Sequence, residues 1–388
     1  MRRYPVGLLA FSSSVLLGTA GNRAVTAQEA LFVHRLGRDT VAVEQYTRSG
    51  NRMTGEVASR LGPTGTRLEY EVALAADGRP VTARYRARTL AGAPIPNQPS
   101  EVRITFVGDS VKREAVFPES TSVRTLPAAG GVPFQPPAYG LMEVAFARLR
   151  RSGGTSATVA AVGTGAGNPA RLQLTAGAGD TIRSANTLGV ATVYRVDRDG
   201  KILSVDGTGT TQKFVSTRDR GPVDLTQLAA RMTPLGTLSA RGLAHGSFLQ
   251  SVVFVNYGRP QVRGRPVWGG VLVPPDTIWR LGANEATHLA TSRELTFGDV
   301  VVPPGLYTLW IFSASSGPQL VINRQVGQWG TSYDPARDLG RVPLQMAPAP
   351  EHVEDFTITV RNLGGNRGAL DFAWGDRVAT AAFTVRPS

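Results

Sequence analysis

The amino-acid sequence predicts an all-β protein made of two antiparallel parts with one or two helices. Apolar and polar residues alternate with a period of two over long stretches, turn dipeptides such as Asp77-Gly78 and Asp199-Gly200 separate these stretches, and only two segments have a helical pattern. Such alternation places one face of a strand on a core and the other in solvent, and frequent turns join strands into hairpins. We therefore expect an N-terminal antiparallel meander, shaped as a half-barrel or barrel, and a C-terminal β-sandwich.

The first 27 residues have the pattern of an export signal. Arg2 and Arg3 precede an apolar run over residues 6–17, and a stretch of small residues ends at Ala27. This order is typical of a secretory signal peptide, and the run is shorter than the roughly 20 apolar residues of a membrane span. We expect cleavage between Ala27 and Gln28, which leaves a soluble protein without a transmembrane span in the periplasm or outside the cell.

Composition limits the partners of the exported chain. The 388 residues include no cysteine, which excludes disulfides and a lipoprotein anchor, and the net charge is +13. Removing the three arginines of residues 1–27 leaves +10, supplied almost wholly by arginine. The basic residues are scattered among acids rather than clustered, which argues against a nucleic-acid partner. An anionic envelope surface stays open as a partner.

The apolar and polar pattern of residues 28–232 predicts an antiparallel β domain with helices at Leu141–Arg150 and Val223–Met232. Its alternating strands share one apolar face, formed by Leu68, Tyr70, Val72, Leu74, Val102, Ile104 and Phe106. A ten-residue helix is about 15 Å long, too short to cover a sheet of many strands. Either the sheet closes around a packed interior, or an open apolar face takes a lipid or another partner.

The composition of residues 233–248 predicts a linker, and the pattern of residues 249–388 predicts a second β domain. The linker is rich in Gly, Ser and Thr, and all five tryptophans lie beyond it. Tyr307–Phe312 is apolar on both faces, as in a central sandwich strand, whereas Phe356–Val360 and Leu370–Trp374 alternate and suit a sheet with one wet face. These patterns favour a β-sandwich.

Four segments of the second domain resemble one known family. "RPQVRGRPVWGGVLVPPDTIWRLGANEAT", "PPGLYTLWIF", "VINRQVGQWG" and "YDPARD" are similar to DUF2911, a bacterial domain of unknown function, over roughly residues 250–388. The resemblance implies an exported, β-rich module and no activity. The first domain resembles, at the level of fold alone, the half-barrels of bacterial envelope lipid carriers.

The segment "WRLGANEATHL", which starts at Trp279, concentrates the candidate site residues of the second domain. We expect a strand end at Trp279 and a turn over 282–284. In one interpretation Glu285 accepts hydrogen bonds from Arg263, Arg265 or Arg280 and locks a loop. In the other, tryptophans form a groove for a sugar, a peptidoglycan fragment or another polar ligand. The candidate ligand-binding residues are Arg263, Arg265, Trp268, Trp279, Arg280, Asn284, Glu285, Asn323, Trp329, Tyr333 and Asp334.

No motif in the sequence predicts catalysis or a metal. There is no GxSxG turn, HExxH pair or phosphate loop, and Glu285 and His288 point to opposite faces if they lie on a strand. We assign no catalytic residue, cofactor or metal ligand. The expected function is a non-catalytic ligand-binding or structural module that takes an apolar or carbohydrate ligand. The alternative is an envelope hydrolase acting on polysaccharide or ester through carboxylates among Asp276, Glu285 and Asp334.

Overall fold

The computed structural model describes residues 28–187, 189–219, 221–248 and 251–387. Strands dominate these residues, in large antiparallel sheets, which confirms the predicted all-β fold. The predicted signal peptide lies outside the described residues. None of the described helices is long and apolar enough to cross a membrane.

The N-terminal part is a single sheet of fifteen strands. Their spatial order is β8-β7-β6-β5-β4-β3-β2-β1-β15-β14-β13-β12-β11-β10-β9, and all pairs are antiparallel except β9 with β10. The strands are β1 Gln28–Leu36, β2 Asp39–Ser49, β3 Arg52–Ser59, β4 Thr66–Leu74, β5 Pro80–Thr89, β6 Glu101–Val107, β7 Ser110–Val116, β8 Thr121–Pro127, β9 Val132–Pro133, β10 Ser156–Val162, β11 Ala170–Ala176, β12 Thr181–Ala185, β13 Ala191–Val196, β14 Ile202–Asp206 and β15 Val215–Asp219.

A helix fills the concave face of this sheet. A 3₁₀ turn, Tyr139–Met142, leads directly into helix α1, Glu143–Arg151, and both bury their apolar side chains in the same core as the strands. The sheet curves so far around α1 that Arg113 Nη2 of β7 donates to the carbonyl of Thr164, beyond β10, at 2.5 Å. The end strands β8 and β9 do not pair with each other, so the sheet is no closed barrel.

The predicted apolar face of the first domain is packed rather than open. Six of its seven residues are buried in the core with α1, and Phe106 is half-buried against them. A short helix suffices because the sheet bends around it, whereas a flatter sheet of fifteen strands would need a longer cover. The expectation of an open surface there for a lipid is therefore corrected, and the packed interior is the observed arrangement.

Both predicted helices are present, and the predicted linker is shorter than expected. Helix α2, Leu225–Arg231, starts at Asp224, whose carboxylate accepts from Gln227 N at 2.9 Å, as an N-cap does. The linker prediction is wrong over residues 241–248, because this segment forms strand β16 and pairs with the next strand through all eight of its residues.

The C-terminal part is a two-sheet sandwich. One sheet has the order β16-β17-β19-β22-β23-β24, with β18 on β22, and the other has the order β21-β20-β26-β25. The predicted central strand Tyr307–Phe312 lies within β22, in the middle of the first sheet. The strands are β16 Arg241–Phe248, β17 Ser251–Gly258, β18 Ile278–Trp279, β19 Thr287–Thr291, β20 Leu295–Phe297, β21 Val300–Val302, β22 Gly305–Phe312, β23 Gln319–Asn323, β24 Asp338–Pro343, β25 Gln345–Asn362 and β26 Arg367–Val385.

Candidate functional site

A cavity of about 400 Å³ lies between the N-terminal sheet and the C-terminal sandwich. We call it the interface cavity. Its walls come from three separate parts of the chain: the N-terminal sheet, the linker and the loops of the sandwich. Its lining residues are Leu36, Leu61, Thr211, Gln212, Lys213, Phe214, Leu238, Ser239, Pro260, Gln261, Arg263, Arg265, Leu272, Trp279, Arg280, Gly282, Ala283, Asn284, Trp329 and Trp374.

Arg263 joins the two sides of the cavity. Its Nη1 lies 2.5 Å from Asp39 Oδ2 of the N-terminal sheet, its carbonyl accepts from Arg38 N at 3.0 Å, and its own N donates to Glu354 Oε1 at 2.9 Å. A Cβ on Gly37 would lie 2.0 Å from the Arg263 carbonyl oxygen, so this approach requires glycine. The contacts link the sandwich to the β1–β2 hairpin and shape the cavity from both sides.

Tryptophans form one wall of the interface cavity. Trp279 is buried and stacks on Trp374 with ring centroids 5.4 Å apart and an interplanar angle of 12°, and Trp268 meets Trp279 edge-on at 6.1 Å. Trp329, by contrast, is 49% exposed. Trp279 and Trp374 are therefore mainly core, whereas Trp329 keeps ring surface available to a ligand.

The loop that contains Trp329 is hydrogen-bonded to the predicted turn over residues 282–284. Gly330 N donates to Asn284 O at 2.9 Å, and a Cβ on Gly330 would lie 2.6 Å from that same oxygen. Gly327 N donates to His288 Nε2 at 3.0 Å. His288 thus has a structural role here, since its ring nitrogen accepts from the loop backbone.

The turn itself matches its prediction. β18 ends at Trp279, β19 begins at Thr287, and between them Leu281 and Asn284 have positive φ angles of 47° and 63°. Thr287 Oγ1 donates to the Leu281 carbonyl at 2.6 Å. Asn284 is among the residue types that tolerate the left-handed conformation, so this position is set by the backbone as well as by the cavity.

Three cations line the interface cavity besides Arg263. Lys213 Nζ donates to Thr208 O at 3.0 Å, and Arg265 uses Nε and Nη2 on the carbonyls of Val262 and Gln261, at 3.0 and 2.6 Å. Arg280 Nη1 is buried and has no hydrogen-bond partner among the described residues. No carboxylate belongs to the described lining.

The burial of these cations lowers their pKa values. Burial lowers the pKa of Arg265 to about 10, and the nearby charge of Arg263 acts in the same direction. Burial also lowers the pKa of Arg280. The pKa of Lys213 is lowered first by burial and then by the charges of Arg265 and Arg280. The cavity is therefore a confined, positively charged space.

The structure brings together six of the eleven predicted ligand-binding residues. Arg263, Arg265, Trp279, Arg280, Asn284 and Trp329 line the cavity. Trp268 lies behind Trp279 and donates Nε1 to Trp374 O at 3.1 Å.

A separate cluster contains Asn323, Tyr333 and Asp334. Asn323 Nδ2 donates to Asp334 O and to Asp338 Oδ1, at 2.8 and 2.9 Å, and Tyr333 OH donates to Asp338 Oδ2 at 2.6 Å. These bonds fasten the loop that precedes β24. None of the three predicted residues is part of the cavity lining.

Glu285 lies at the rim and pairs with an arginine that the sequence did not suggest. Its Oε2 lies 3.6 Å from Arg241 Nη1, and its side chain is 56% exposed. The expectation of a pair with Arg263, Arg265 or Arg280 is therefore wrong. Arg241 reaches Glu285 because it lies on β16, the segment expected to be linker.

Replacing Glu285 with alanine should lower the free energy of unfolding by less than about 0.5 kcal/mol, because exposed ion pairs contribute little. Chemical denaturation of the full chain measures this value, with Arg241→Ala as the matched partner variant. A loss above about 1 kcal/mol would show that the pair locks the turn after all.

A second polar cluster lies inside the N-terminal core, and no sequence pattern predicts it. Ser216 Oγ and His34 Nδ1 are 2.6 Å apart, and His34 Nε2 lies 3.8 Å from Glu44 Oε2. Glu44 also accepts from Tyr70 OH at 2.7 Å and from Gly140 N at 3.0 Å. Burial raises the pKa of Glu44 to about 8 and lowers the pKa of His34 to about 3.

This cluster has the residue types of a hydrolytic triad but no access for a substrate. The side chains of Ser216, His34 and Glu44 are fully buried, and none of them lines a described cavity. A nucleophile must reach its substrate. We therefore interpret the cluster as a polar part of the core.

The carboxylates of the hydrolase alternative are engaged elsewhere. Asp276 accepts from Ser315 Oγ at 2.6 Å, Asp334 caps a 3₁₀ turn through Ala336 N at 3.0 Å, and Glu285 pairs with Arg241. No group of three or more acidic or histidine residues that could hold a metal ion is found in the part of the chain that the structure describes.

Comparisons with known proteins find a family whose model matches the sandwich. The model of the family described as "Protein of unknown function (DUF2911)" matches residues 239–383. No curated protein matches. A solved structure of a DUF1089 family protein from Pseudomonas aeruginosa is 15% identical, with a TM-score of 0.30, and the alignment covers 50% of this chain and 94% of that one. The family match begins at the linker and includes both sheets of the sandwich, so residues 239–383 are similar to the DUF2911 family.

Proposed function

We propose that the protein is an exported, non-catalytic module that binds a small polar ligand in the interface cavity. The observation that carries this proposal is the position of Trp329, whose half-exposed ring borders a cavity of about 400 Å³ walled by both halves of the chain. Ligand sites are typically concave, about 300–1,000 Å³ in volume, and lined by aromatic side chains with a few polar groups. Export rests on the signal-peptide pattern, and an N-terminus at Gln28 in protein from the native envelope tests it.

The ligand class follows from the mixed lining. A flat ring such as that of Trp329 offers apolar contact to one face of a sugar or a similar molecule. Asn284, Gln212 and Gln261 add polar groups to the same cavity. A saccharide or a peptidoglycan fragment has both a flat apolar face and many hydrogen-bonding groups, so it suits this lining.

Catalysis is not part of the proposal. The lining supplies no carboxylate within the described residues, and glycoside hydrolysis needs two carboxyl groups across the scissile bond. The cluster of Ser216, His34 and Glu44 is fully buried. Binding is the activity that this geometry supports.

Protein purified from the native envelope should retain a small molecule that Trp329→Ala loses. The ring of Trp329 supplies exposed aromatic contact, so truncation should remove most of the retained ligand while the fold persists. Mass spectrometry of the molecules released on denaturation measures the retained amount.

The matched control is Leu243→Ala. Leu243 is 61% exposed and is not part of the cavity lining, so this variant should retain as much ligand as the wild type. Equal retention by Trp329→Ala and the wild type would count against the cavity as the binding site.

A further inference from the structure

The charges of the interface cavity identify the chemistry of its ligand, and this inference rests on the proposed function. Lys213, Arg265 and Arg280 line the cavity, and its described lining includes no acidic side chain. Lys213 comes from the N-terminal sheet, between β14 and β15, whereas both arginines come from the sandwich. The positive charge is therefore concentrated where the two halves of the chain meet.

The protein's own acids compensate these cations incompletely. Asp39 is paired with Arg263 at 2.5 Å. Glu354 accepts from Arg263 N at 2.9 Å and acts electrostatically on Arg265. No described acid forms an ion pair with Lys213 or Arg280. Arg265 has no ion pair either, but its Nε and Nη2 already donate to carbonyls, so Arg280, with no hydrogen bond, and Lys213, with one, keep more donors free for an anion.

The hydrogen bonding of the Arg280 guanidinium is incomplete within the described residues. Its Nη1 is buried and makes no hydrogen bond within the described residues, although a buried polar atom without a partner costs free energy. The other two guanidiniums of the described lining are already used: that of Arg263 pairs with Asp39 and joins the two halves, and that of Arg265 donates to two backbone carbonyls. Because Nη1 itself is shielded from solvent, an anion in the cavity would accept from the other N–H groups of this guanidinium, which make no hydrogen bond within the described residues either.

Repulsion among the cations of the cavity is a second reason to expect an anionic ligand. Arg265 and Arg280 both act on Lys213 to disfavour its charged form, together with burial. An anion between these groups turns mutual repulsion into attraction, and it does so in a partly buried space where screening by salt is reduced.

We propose that the natural ligand carries a carboxylate or phosphate group, which Arg280 and Lys213 bind while the rest of the molecule packs on Trp329. A guanidinium presents parallel N–H donors that match the oxygens of either anion, and an ammonium adds a mobile point charge. The ligand is therefore an acidic molecule, such as a uronic acid or a sugar phosphate, rather than a neutral sugar.

Isothermal titration with four probes tests this selectivity on the full mature chain. The probes are glucose, glucuronate, glucose 6-phosphate and inorganic phosphate. We expect glucuronate or glucose 6-phosphate to bind at least about tenfold more tightly than glucose, because charge-assisted hydrogen bonds are roughly twice as strong as neutral ones. Which of the two binds better distinguishes a carboxylate ligand from a phosphate ligand.

Two variants assign the effect to the named cations. Arg280→Gln and Lys213→Met should each reduce the affinity for the anionic sugar by about tenfold or more and leave the affinity for glucose unchanged. Arg171→Gln is the matched control, since Arg171 is an exposed arginine on β11 and is not part of the cavity lining. It should leave every affinity unchanged. Circular dichroism of each variant verifies that it is folded.

The outcomes separate this inference from the proposed function. Equal affinity for glucose and both anionic sugars, or anion selectivity that survives in folded Arg280→Gln and Lys213→Met, would overturn the anionic ligand and leave sugar binding intact. Inorganic phosphate that binds as tightly as glucose 6-phosphate would support the anion site and overturn the aromatic platform. Absence of binding by all four probes would overturn both.

Discussion

Replacing Phe146 with alanine is expected to lower the free energy of unfolding by about 3 to 5 kcal/mol, the usual range for a buried aromatic residue in a core. Phe146 lies on α1, is fully buried, and meets Tyr194 of β13 edge-on with ring centroids 4.8 Å apart. Its removal leaves a cavity where the helix fills the concave face of the fifteen-stranded sheet.

Urea denaturation of the full chain measures this loss, with Val123→Ala as a control at a site that is 52% exposed on the edge strand β8. The control should change the unfolding free energy by less than about 0.5 kcal/mol. If Phe146→Ala lowers the free energy of unfolding by less than about 1 kcal/mol, the result would contradict the packed interior and favour an open apolar face that binds a lipid.

Replacing Glu44 with glutamine is expected to remove a large pH dependence of stability. Burial raises the pKa of Glu44 from its ordinary 4.5 to about 8 in the folded chain, so the folded state favours the protonated acid. This contribution to stability is fully present below about pH 4.5 and is lost as the pH rises to about 8. Each unit of pKa difference corresponds to about 1.4 kcal/mol, which gives a loss on the order of 5 kcal/mol for the difference between 4.5 and about 8.

Glutamine is neutral at every pH and keeps a carbonyl oxygen that can accept from Tyr70 and Gly140. The wild type should therefore lose stability between about pH 6.5 and pH 8, above the pH range in which the other buried group, His34, titrates, whereas Glu44→Gln should stay nearly constant in denaturation experiments over this range. Glu119→Gln, which changes an exposed carboxylate, should behave like the wild type. Parallel pH profiles for wild type and Glu44→Gln would show that Glu44 is charged in the folded protein.

His34 acts with the opposite sign at lower pH. Burial lowers its pKa from 6.5 to about 3, so its contribution is present above about pH 6.5 and is lost as the pH falls toward 3. The two buried groups therefore favour an intermediate pH for the N-terminal core.

The strands could be predicted well because their signal is local. The alternation over Thr66–Leu74 depends only on which residues face the core, and β4 has these same limits. The linker prediction was wrong over residues 241–248 because this segment contains two glycines and a serine, which are also typical of loops. Its strand conformation comes from backbone pairing with β17, which local composition does not reveal.

Only some of the residues of the candidate site could be predicted from the sequence. Trp329, Arg280 and Asn284 could be singled out because they lie in a dense polar and aromatic segment and its neighbours. Lys213 could not, because it reaches the cavity only when the N-terminal sheet packs against the sandwich. The predicted arginine partners of Glu285 were wrong for the same reason. Its actual partner, Arg241, lies on β16, a strand whose loop-like composition led to the prediction of a linker.

A crystal structure of the protein, purified from its native source without added ligand, tests the central claim most directly. We predict electron density for a bound acidic molecule in the interface cavity, with its anionic group within about 3 Å of Arg280 or Lys213 and its flat face against Trp329. A ligand bound elsewhere on the chain, with only water in this cavity, would contradict the account.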